Sequence, residues 1–453
     1  MSERTIAAIS TPLGEGGIGV IRISGDNAIS ISERFFKPLG KKKLSEMEGY
    51  TAVFGEVYDG DDLVDQGIAT VFRGPKSYTG EDVIELSVHG GSYIVKRVLR
   101  VVLSSGAEMA EAGEFTKRAF LNRKIDLTQA ESIMGIISAQ SESALRLSQA
   151  NHTGKLTRQI EQIKQSLLKT AASIAFYADE PDEEIPELNS ENFGKMLGDT
   201  ILELQGLLSD YDAGKVLREG IETAIVGKPN VGKSTLMNAL SGTRRSIVTD
   251  IAGTTRDVIE DTVTLGGIKL RLADTAGIHK TKDTVESVGV GLAMQRLNTA
   301  DLVLAVFDST QPLDSNDKAL IEYIKDKKVV VVINKNDLEA QIDESVFDGF
   351  PTVYISAKNK DGLAELTAAV QKITKVANLS ADSAVLGSER QRDCAARALS
   401  ASKAALSALS EGQTIDAVGI CIDDAVAALL SLTGQRVTNE VTDEVFKRFC
   451  VGK

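Results

Sequence analysis

The sequence predicts a multidomain α/β protein: a small N-terminal α+β domain, then a helical bundle into which a parallel-sheet domain is inserted. Three observations predict this. A length of 453 residues corresponds to about three domains of ~150 residues each. Two helical regions flank a segment of continuous apolar runs of strand length. Inside that segment a glycine-rich loop pattern lies between a predicted strand and a predicted helix.

The elements follow in order. Residues 1–119 carry short β-runs between glycine turns: 19–23, 67–72 and 83–88. A helix is expected after His89-Gly90-Gly91, with Ile94, Val95, Val98 and Leu99 on one face. Residues 120–219 turn helical. Ile160, Ile163, Leu167 and Leu168 fall on one predicted face, and the spacing resumes at Ile201, Leu204, Leu207 and Leu208. Between them Asp179–Glu187, crowded with acids and holding Pro181 and Pro186, reads as a turn or loop. Residues 220–380 contain the runs 224–226, 302–307 and 329–333. Runs without alternation suit a parallel sheet buried on both faces. Residues 381–453 are Ala- and Leu-rich and helical up to Gly434, which completes the bundle around the insert.

Composition excludes several classes. There are 51 basic and 64 acidic residues, a net charge of −13, so coating of nucleic acid by bulk charge is disfavoured. The three cysteines, Cys394, Cys421 and Cys450, form no C-x-x-C pair and no disulfide framework. A reducing compartment fits them best, and Cys394 and Cys421 read as core. Three histidines (His89, His152, His279) do not supply a multi-histidine metal centre. Met1–Gly14 lacks the pattern of a signal peptide, and no apolar run approaches ~18 residues. The expectation is a cytoplasmic protein with no membrane span.

Gly227-Lys228-Pro229-Asn230-Val231-Gly232-Lys233-Ser234 matches G-x-x-x-x-G-K-[ST]. Glycines let backbone N–H groups curl around phosphates, Lys233 supplies a point charge, and the Ser234 hydroxyl is a Mg²⁺ ligand in this pattern. Thr235 opens the helix behind it. Asp274-Thr275-Ala276-Gly277 ends another apolar strand. Asp274 can hold the Mg²⁺ shell, and Gly277 can donate its N–H to the terminal phosphate. Asn334-Lys335-Asn336-Asp337 follows the run 329–333. A carboxylate at Asp337 accepts two N–H groups from guanine that adenine does not offer, which selects GTP. Ser356-Ala357-Lys358 would close over the base. A single short motif can be chance; four in order, each after a strand, imply a nucleotide site.

This segment resembles the G domain of translation-factor-class GTPases. Thr249-Asp250-Ile251-Ala252-Gly253-Thr254-Thr255-Arg256-Asp257 is especially similar to the MnmE (TrmE) family of tRNA-modification GTPases. The resemblance implies Mg²⁺ at Ser234 and Thr255. It also implies K⁺ at Asn230, Thr249, the Ile251 carbonyl and Thr254. Ile278 stands where Ras-like GTPases carry a water-orienting Gln, and no arginine finger is evident. The resemblance nominates Glu286 to position the attacking water; read alone, Glu286 is a solvated helix glutamate.

The likeness extends over essentially the whole chain. It takes in Thr5–Pro12, Gly16–Gly25, Tyr78–Asp82, His89–Gly91, Gly113–Thr116, Arg118–Asn122, Lys124–Leu127 and the terminal Phe449–Lys453. It implies that the N-terminal domain forms a homodimer contact and binds a tetrahydrofolate one-carbon derivative (5,10-methylene or 5-formyl) through Arg22, Glu85, Lys124 and Lys453. Read alone, Arg22 is a surface arginine and Glu85 a strand glutamate. Cys450 lies beside Lys447, Arg448 and Lys453, cations that favour a thiolate. It is either a nucleophile or a small apolar residue near the chain end. The family works with an FAD-dependent partner, MnmG (GidA), to place an aminomethyl or carboxymethylaminomethyl group at C5 of wobble uridine 34 of tRNA. Two other classes share such a G domain. A ribosome-assembly GTPase would append a basic RNA-binding module where this chain has Ala/Leu-rich helix. A regulatory switch would hydrolyse GTP slowly and ignore K⁺.

Overall fold

The computed structural model describes residues 4–179, 190–241, 262–272, 297–380 and 383–453. The N-terminal domain is built on β1 (Ile6–Ile9), β2 (Ile18–Ser24), β3 (Phe36–Pro38), β4 (Thr51–Asp59), β5 (Asp62–Phe72), β6 (Val83–His89) and β7 (Glu108–Met109). They form one seven-stranded sheet in the order β3-β4-β5-β6-β2-β1-β7. Helix α1 (Ala28–Ser32) follows β2, and α2 (Ser92–Ser104) follows β6. As expected, α2 buries Val95, Val98 and Leu99, which join Ile21, Ile23, Ile84 and Leu86 in one core. Side chains alternate along a strand. With Ile21 and Ile23 inward, Arg22 points to the opposite face, directly across from Glu85 in the β2–β6 register.

Helix α3 (Glu114–Leu121) runs through the predicted boundary at residue 119. Asp126 then starts α4 (Leu127–Ser138) with a capping box to Gln129, two reciprocal bonds that satisfy N-terminal donors. Next come α5 (Glu142–His152), α6 (Lys155–Asp179) and α7 (Ser190–Glu219). On α6, Ile160, Ile163 and Leu167 are buried, whereas Leu168 is 39% exposed. At ~100° per residue, Leu168 lies about 80° from Ile160, on the side away from Ile163. Four leucine-type residues at helical spacing therefore overstated the buried stripe by one.

The inserted domain contains β8 (Ile221–Val226), α8 (Lys233–Ser241), β9 (Thr262–Leu265), β10 (Ile268–Leu272), β11 (Leu302–Asp308), α9 (Ser315–Ile324), β12 (Val329–Asn334), β13 (Thr352–Ile355) and α10 (Leu363–Ile373). The sheet order is β13-β12-β11-β8-β10-β9. All neighbours are parallel except β9 with β10. Every residue of β11 and β12 is buried, as the unbroken apolar runs required. Register sets Asp308 beside Asn334 and Asn334 beside Ile355. The carboxyl ends of three strands thus align, at the edge where open α/β sheets bind ligands.

The last helices are α11 (Glu389–Ser410), α12 (Ile415–Thr433) and α13 (Asn439–Lys447). The helical stretch predicted as continuous is broken after α11 at Gly412, whose φ of 68° is left-handed. Helices α6, α7, α11 and α12 share one core: Leu156, Leu167, Leu197 and Leu204 pack with Ala398, Ile422 and Leu429. Chain on both sides of the inserted domain therefore makes a single bundle. Cys394 is buried in it, and Cys421 is partly buried against it.

A part-buried ion pair helps fasten the two halves. Arg390 donates to Glu131 from Nε at 3.0 Å and from an Nη at 2.8 Å. Its guanidinium also caps α12 at the carbonyls of Ser431 and Leu432, both at 2.9 Å. Ser388 and Gln391 donate to the same carboxylate. Breaking one partner of such a part-buried pair strands the other charge. Glu131→Ala should lower bundle stability by about 3 kcal/mol, read as an earlier urea transition in far-UV circular dichroism; an unshifted transition would show that the pair holds nothing.

Candidate functional site

The phosphate loop leaves β8 and enters α8. A Cβ on Gly227 would lie 2.2 Å from the Val306 carbonyl oxygen, and one on Gly232 would lie 2.1 Å from Asn334 Nδ2. Both positions have φ in the region that favours glycine, 145° and 100°. Asn230, at φ 65°, takes the left-handed conformation that Asn tolerates. Lys233 Nζ donates to the carbonyls of Gly227 at 2.7 Å and Lys228 at 2.5 Å. Burial pushes its pKa below the ordinary lysine value. The ammonium is thus held over the loop by neutral oxygens, for which anionic phosphate oxygens are stronger substitutes. Ser234 and Thr235 are exposed in the first turn of α8, where helix N–H groups favour anions.

Asn334 joins this loop to the base side. Its Nδ2 donates to the Val231 carbonyl at 2.7 Å, and its Oδ1 accepts the Ala357 N–H at 3.0 Å. Ser356 and Ala357 are buried, while Asp337 and Lys358 are exposed at the rim. Lys335, at φ 65°, places its ammonium 2.5 Å from Asp308 Oδ2. Burial alone would raise the Asp308 carboxyl, but Lys335 and the Thr310 donors outweigh it and hold its pKa below the usual value.

A second constellation lies on the outer face of the N-terminal sheet. Arg22 and Glu85 pair at 2.8 Å. The Arg22 guanidinium lies 5.2 Å from the Tyr78 ring centre and 5.6 Å from that of Phe115. The chain terminus returns here. Phe446 and Phe449 anchor it in a core with Leu127 and Ile133; Val451 pairs with Ala112. The Gly452 carbonyl then accepts from Ser10 Oγ at 3.2 Å and from Arg22 at 3.4 Å. Gly452 has φ 96°, and a Cβ there would lie 2.2 Å from the Ile9 oxygen. Arg22, Glu85 and the tail bearing Lys453 therefore converge. Lys124 is held elsewhere on the rim, its Nζ 2.8 Å from the Pro75 carbonyl, on the loop that carries Tyr78. Cys450 is exposed.

Comparison with known proteins decides the family. Residues 127–450 match the model of the MnmE helical domain, and residues 5–124 match the N-terminus of the GTP-binding protein TrmE. The protein named tRNA modification GTPase MnmE of Carboxydothermus hydrogenoformans is 41% identical over 461 residues, covering 100% of both chains. Its namesake from Clostridioides difficile is 38% identical over 456 residues, covering 100% of this chain and 99% of its own. The chain belongs to the MnmE family of tRNA modification GTPases. The G domain of the T. maritima FeoB iron transporter is also similar, at 28% identity with a TM-score of 0.25, covering 34% of this chain and 98% of its own.

As an MnmE-family member the chain is a P-loop GTP hydrolase. Of the site residues expected from sequence, Asn230 to Thr235 lie on the phosphate loop and the start of α8, Asn334, Lys335 and Asp337 at the end of β12 and on the loop after it, and Ser356 to Lys358 on the loop after β13. Thr249 to Thr255, Asp274 to Gly277, Ile278 and Glu286 lie outside the described residues. The sequence reading missed Tyr78 and Phe115 as neighbours of Arg22. It also missed Asp308 and the acids Asp314 and Asp317 that meet Lys228; no motif spacing marks them. The exposed Asp337 generates a direct test. Asp337→Asn should weaken GTP binding by about 2 kcal/mol and shift preference toward xanthosine nucleotides. Unchanged GTP affinity in a competition assay would remove Asp337 from base recognition.

Proposed function

We propose that this chain is a K⁺-dependent, homodimeric GTPase that acts on tRNA with an FAD-dependent MnmG-type partner. Together they install an aminomethyl or carboxymethylaminomethyl group at C5 of wobble uridine 34, using a one-carbon unit from a methylene-type tetrahydrofolate. The observation that carries this reading is the full-length match to relatives named as tRNA modification GTPases, N-terminal domain included.

The residues fit the groups required. Ser234 offers an accessible hydroxyl beside Lys233, a hard oxygen suited to Mg²⁺; Thr255 would complete the pair, with Asp274 in the outer shell. Asn230 offers a neutral amide oxygen for K⁺, with Thr249, Ile251 and Thr254 as further ligands. Both cations supply positive charge where negative charge develops on the phosphates. Lys233 holds the outer phosphates, Asn334 keeps the two loops together, and Asp337 reads guanine. With Ile278 in place of a water-orienting Gln, Glu286 positions the attacking water. Pairing of two G domains excludes water and strengthens every charge in the site.

In the N-terminal domain a carboxylate, a guanidinium and the Tyr78 ring lie together and part-exposed, with side chains of Arg22 and Glu85 14% and 28% exposed, over the buried Phe115 ring. That set suits a flat aminopterin ring with an anionic tail. Arg22, Glu85, Lys124 and Lys453 would hold the folate, which supplies the one-carbon unit. Cys450 is the exposed thiol on the same tail and is our candidate nucleophile.

Two measurements test this. Steady-state GTP turnover should fall by about tenfold or more when KCl is replaced by NaCl. Asn230→Ala should lose most of that stimulation, and Glu286→Ala should lose turnover but keep nucleotide binding. Indifference of the wild type to the cation would overturn the K⁺ mechanism. Titration with 5-formyltetrahydrofolate should show binding that Glu85→Ala abolishes while GTP turnover stays near normal. Equal binding by both proteins would remove Glu85 from the folate site.

A further inference from the structure

The phosphate-loop pattern leaves the residue after its first glycine unspecified, yet Lys228 is one of the most heavily engaged side chains of the inserted domain. Its Nζ lies 2.6 Å from Asp314 Oδ2 and 2.5 Å from Asp317 Oδ2. Asp317 is 8% exposed at its side chain. Both carboxylates are already oriented by the start of α9. Asp314 Oδ1 caps the helix by accepting the N–H groups of Asn316 at 2.8 Å and Asp317 at 3.1 Å, and Asp317 Oδ2 accepts the N–H of Asp314 at 3.1 Å. The acids are therefore a rigid receptor, and the ammonium fills it.

We propose that Lys228 is a positioning residue for GTP hydrolysis, tying the first half of the phosphate loop to the start of α9. Its charge is spent on two carboxylates, not on phosphate. Its carbonyl accepts Lys233 Nζ; one residue thus links the phosphate-binding lysine to α9. Swinging the ammonium toward a nucleotide would leave Asp317 buried without its cation, which is costly. Burial works to lower the Lys228 pKa, and the two acids raise it above the ordinary value, so the ammonium stays charged at neutral pH.

The base side is tied to the same connection. At the end of β11 Asp308 takes the Lys335 ammonium, and just beyond it Ser309 Oγ donates to the Lys335 carbonyl at 2.9 Å. The segment from Asp308 to Asp317 thus pins the base-reading loop at one end and the phosphate loop at the other. It sets their separation with charged contacts, as a catalyst that works by positioning requires. The proposal rests on GTP hydrolysis at this loop and needs neither K⁺ nor folate.

The test uses the full-length protein and three variants. Lys228→Met should lower kcat by about tenfold while KM for GTP and affinity for GDP move less than about threefold. Lys228→Arg, which can reach both carboxylates, should recover most of the loss. Asp314→Asn keeps a good cap residue and removes one charge, so it should show the same split in smaller measure. Normal kcat in Lys228→Met overturns the proposal. So does GDP affinity lost in step with kcat, because that marks a direct phosphate ligand. If Lys228→Met does not fold, Asp314→Asn decides, and an unaltered kcat there overturns it. Absence of hydrolysis by the wild type would instead fail the GTPase reading itself.

Discussion

The nucleotide site depends on one buried amide. Asn334 is 3% exposed and uses both ends of its side chain, on Val231 and on Ala357. Those backbone groups belong to the phosphate loop and to the loop after β13. Without the amide each would be left unpaired, at about 1–3 kcal/mol per group. The close approach is possible because Gly232 has no Cβ to strike Asn334. The parallel register then places Asp308 and Ile355 on either side of Asn334, so the supports of base and phosphate loops start from one row of the sheet.

Around this site the chain is organised by returns. The G domain is inserted within a bundle whose two halves are fastened by Arg390 on Glu131. The terminus, after leaving that bundle, docks on the N-terminal sheet and offers the Gly452 carbonyl to Arg22. Strand β10, which precedes Asp274 in sequence, is joined to the end of α7 by Arg271 donating to the Glu219 carbonyl at 3.0 Å. Its hairpin with β9 turns at Gly266, whose carbonyl accepts from Gln371 at 2.8 Å. The Arg271 contact gives the G domain a physical link to the bundle, and the terminal tail links the bundle to the Arg22 face of the N-terminal sheet.

What could be read from the sequence was what is local. The phosphate loop, the base loop and the buried strands β11 and β12 each declare themselves within ten residues, because backbone geometry and burial constrain neighbouring positions. Helix α2 was legible from Val95, Val98 and Leu99 for the same reason. Leu168 was misassigned because spacing marks a stripe without fixing its edge. The break after α11 was missed because its Ala- and Leu-rich flanks suit helix on both sides, and only the left-handed Gly412 stops it. Pairs remote in sequence left no trace: Glu131 with Arg390, and Lys228 with Asp314 and Asp317. Each needs a surface that exists only after the fold has formed.

The proposed function requires GTP hydrolysis by this chain for a change at the wobble uridine of tRNA. The most direct measurement is mass spectrometry of tRNA wobble uridines in a strain lacking the gene, complemented with the wild type or with Glu286→Ala. The expected result is loss of the C5 aminomethyl-type modification on deletion, return with the wild type, and no return with the hydrolysis-deficient variant. A wobble position unchanged by deletion, or restored equally by both proteins, would contradict it.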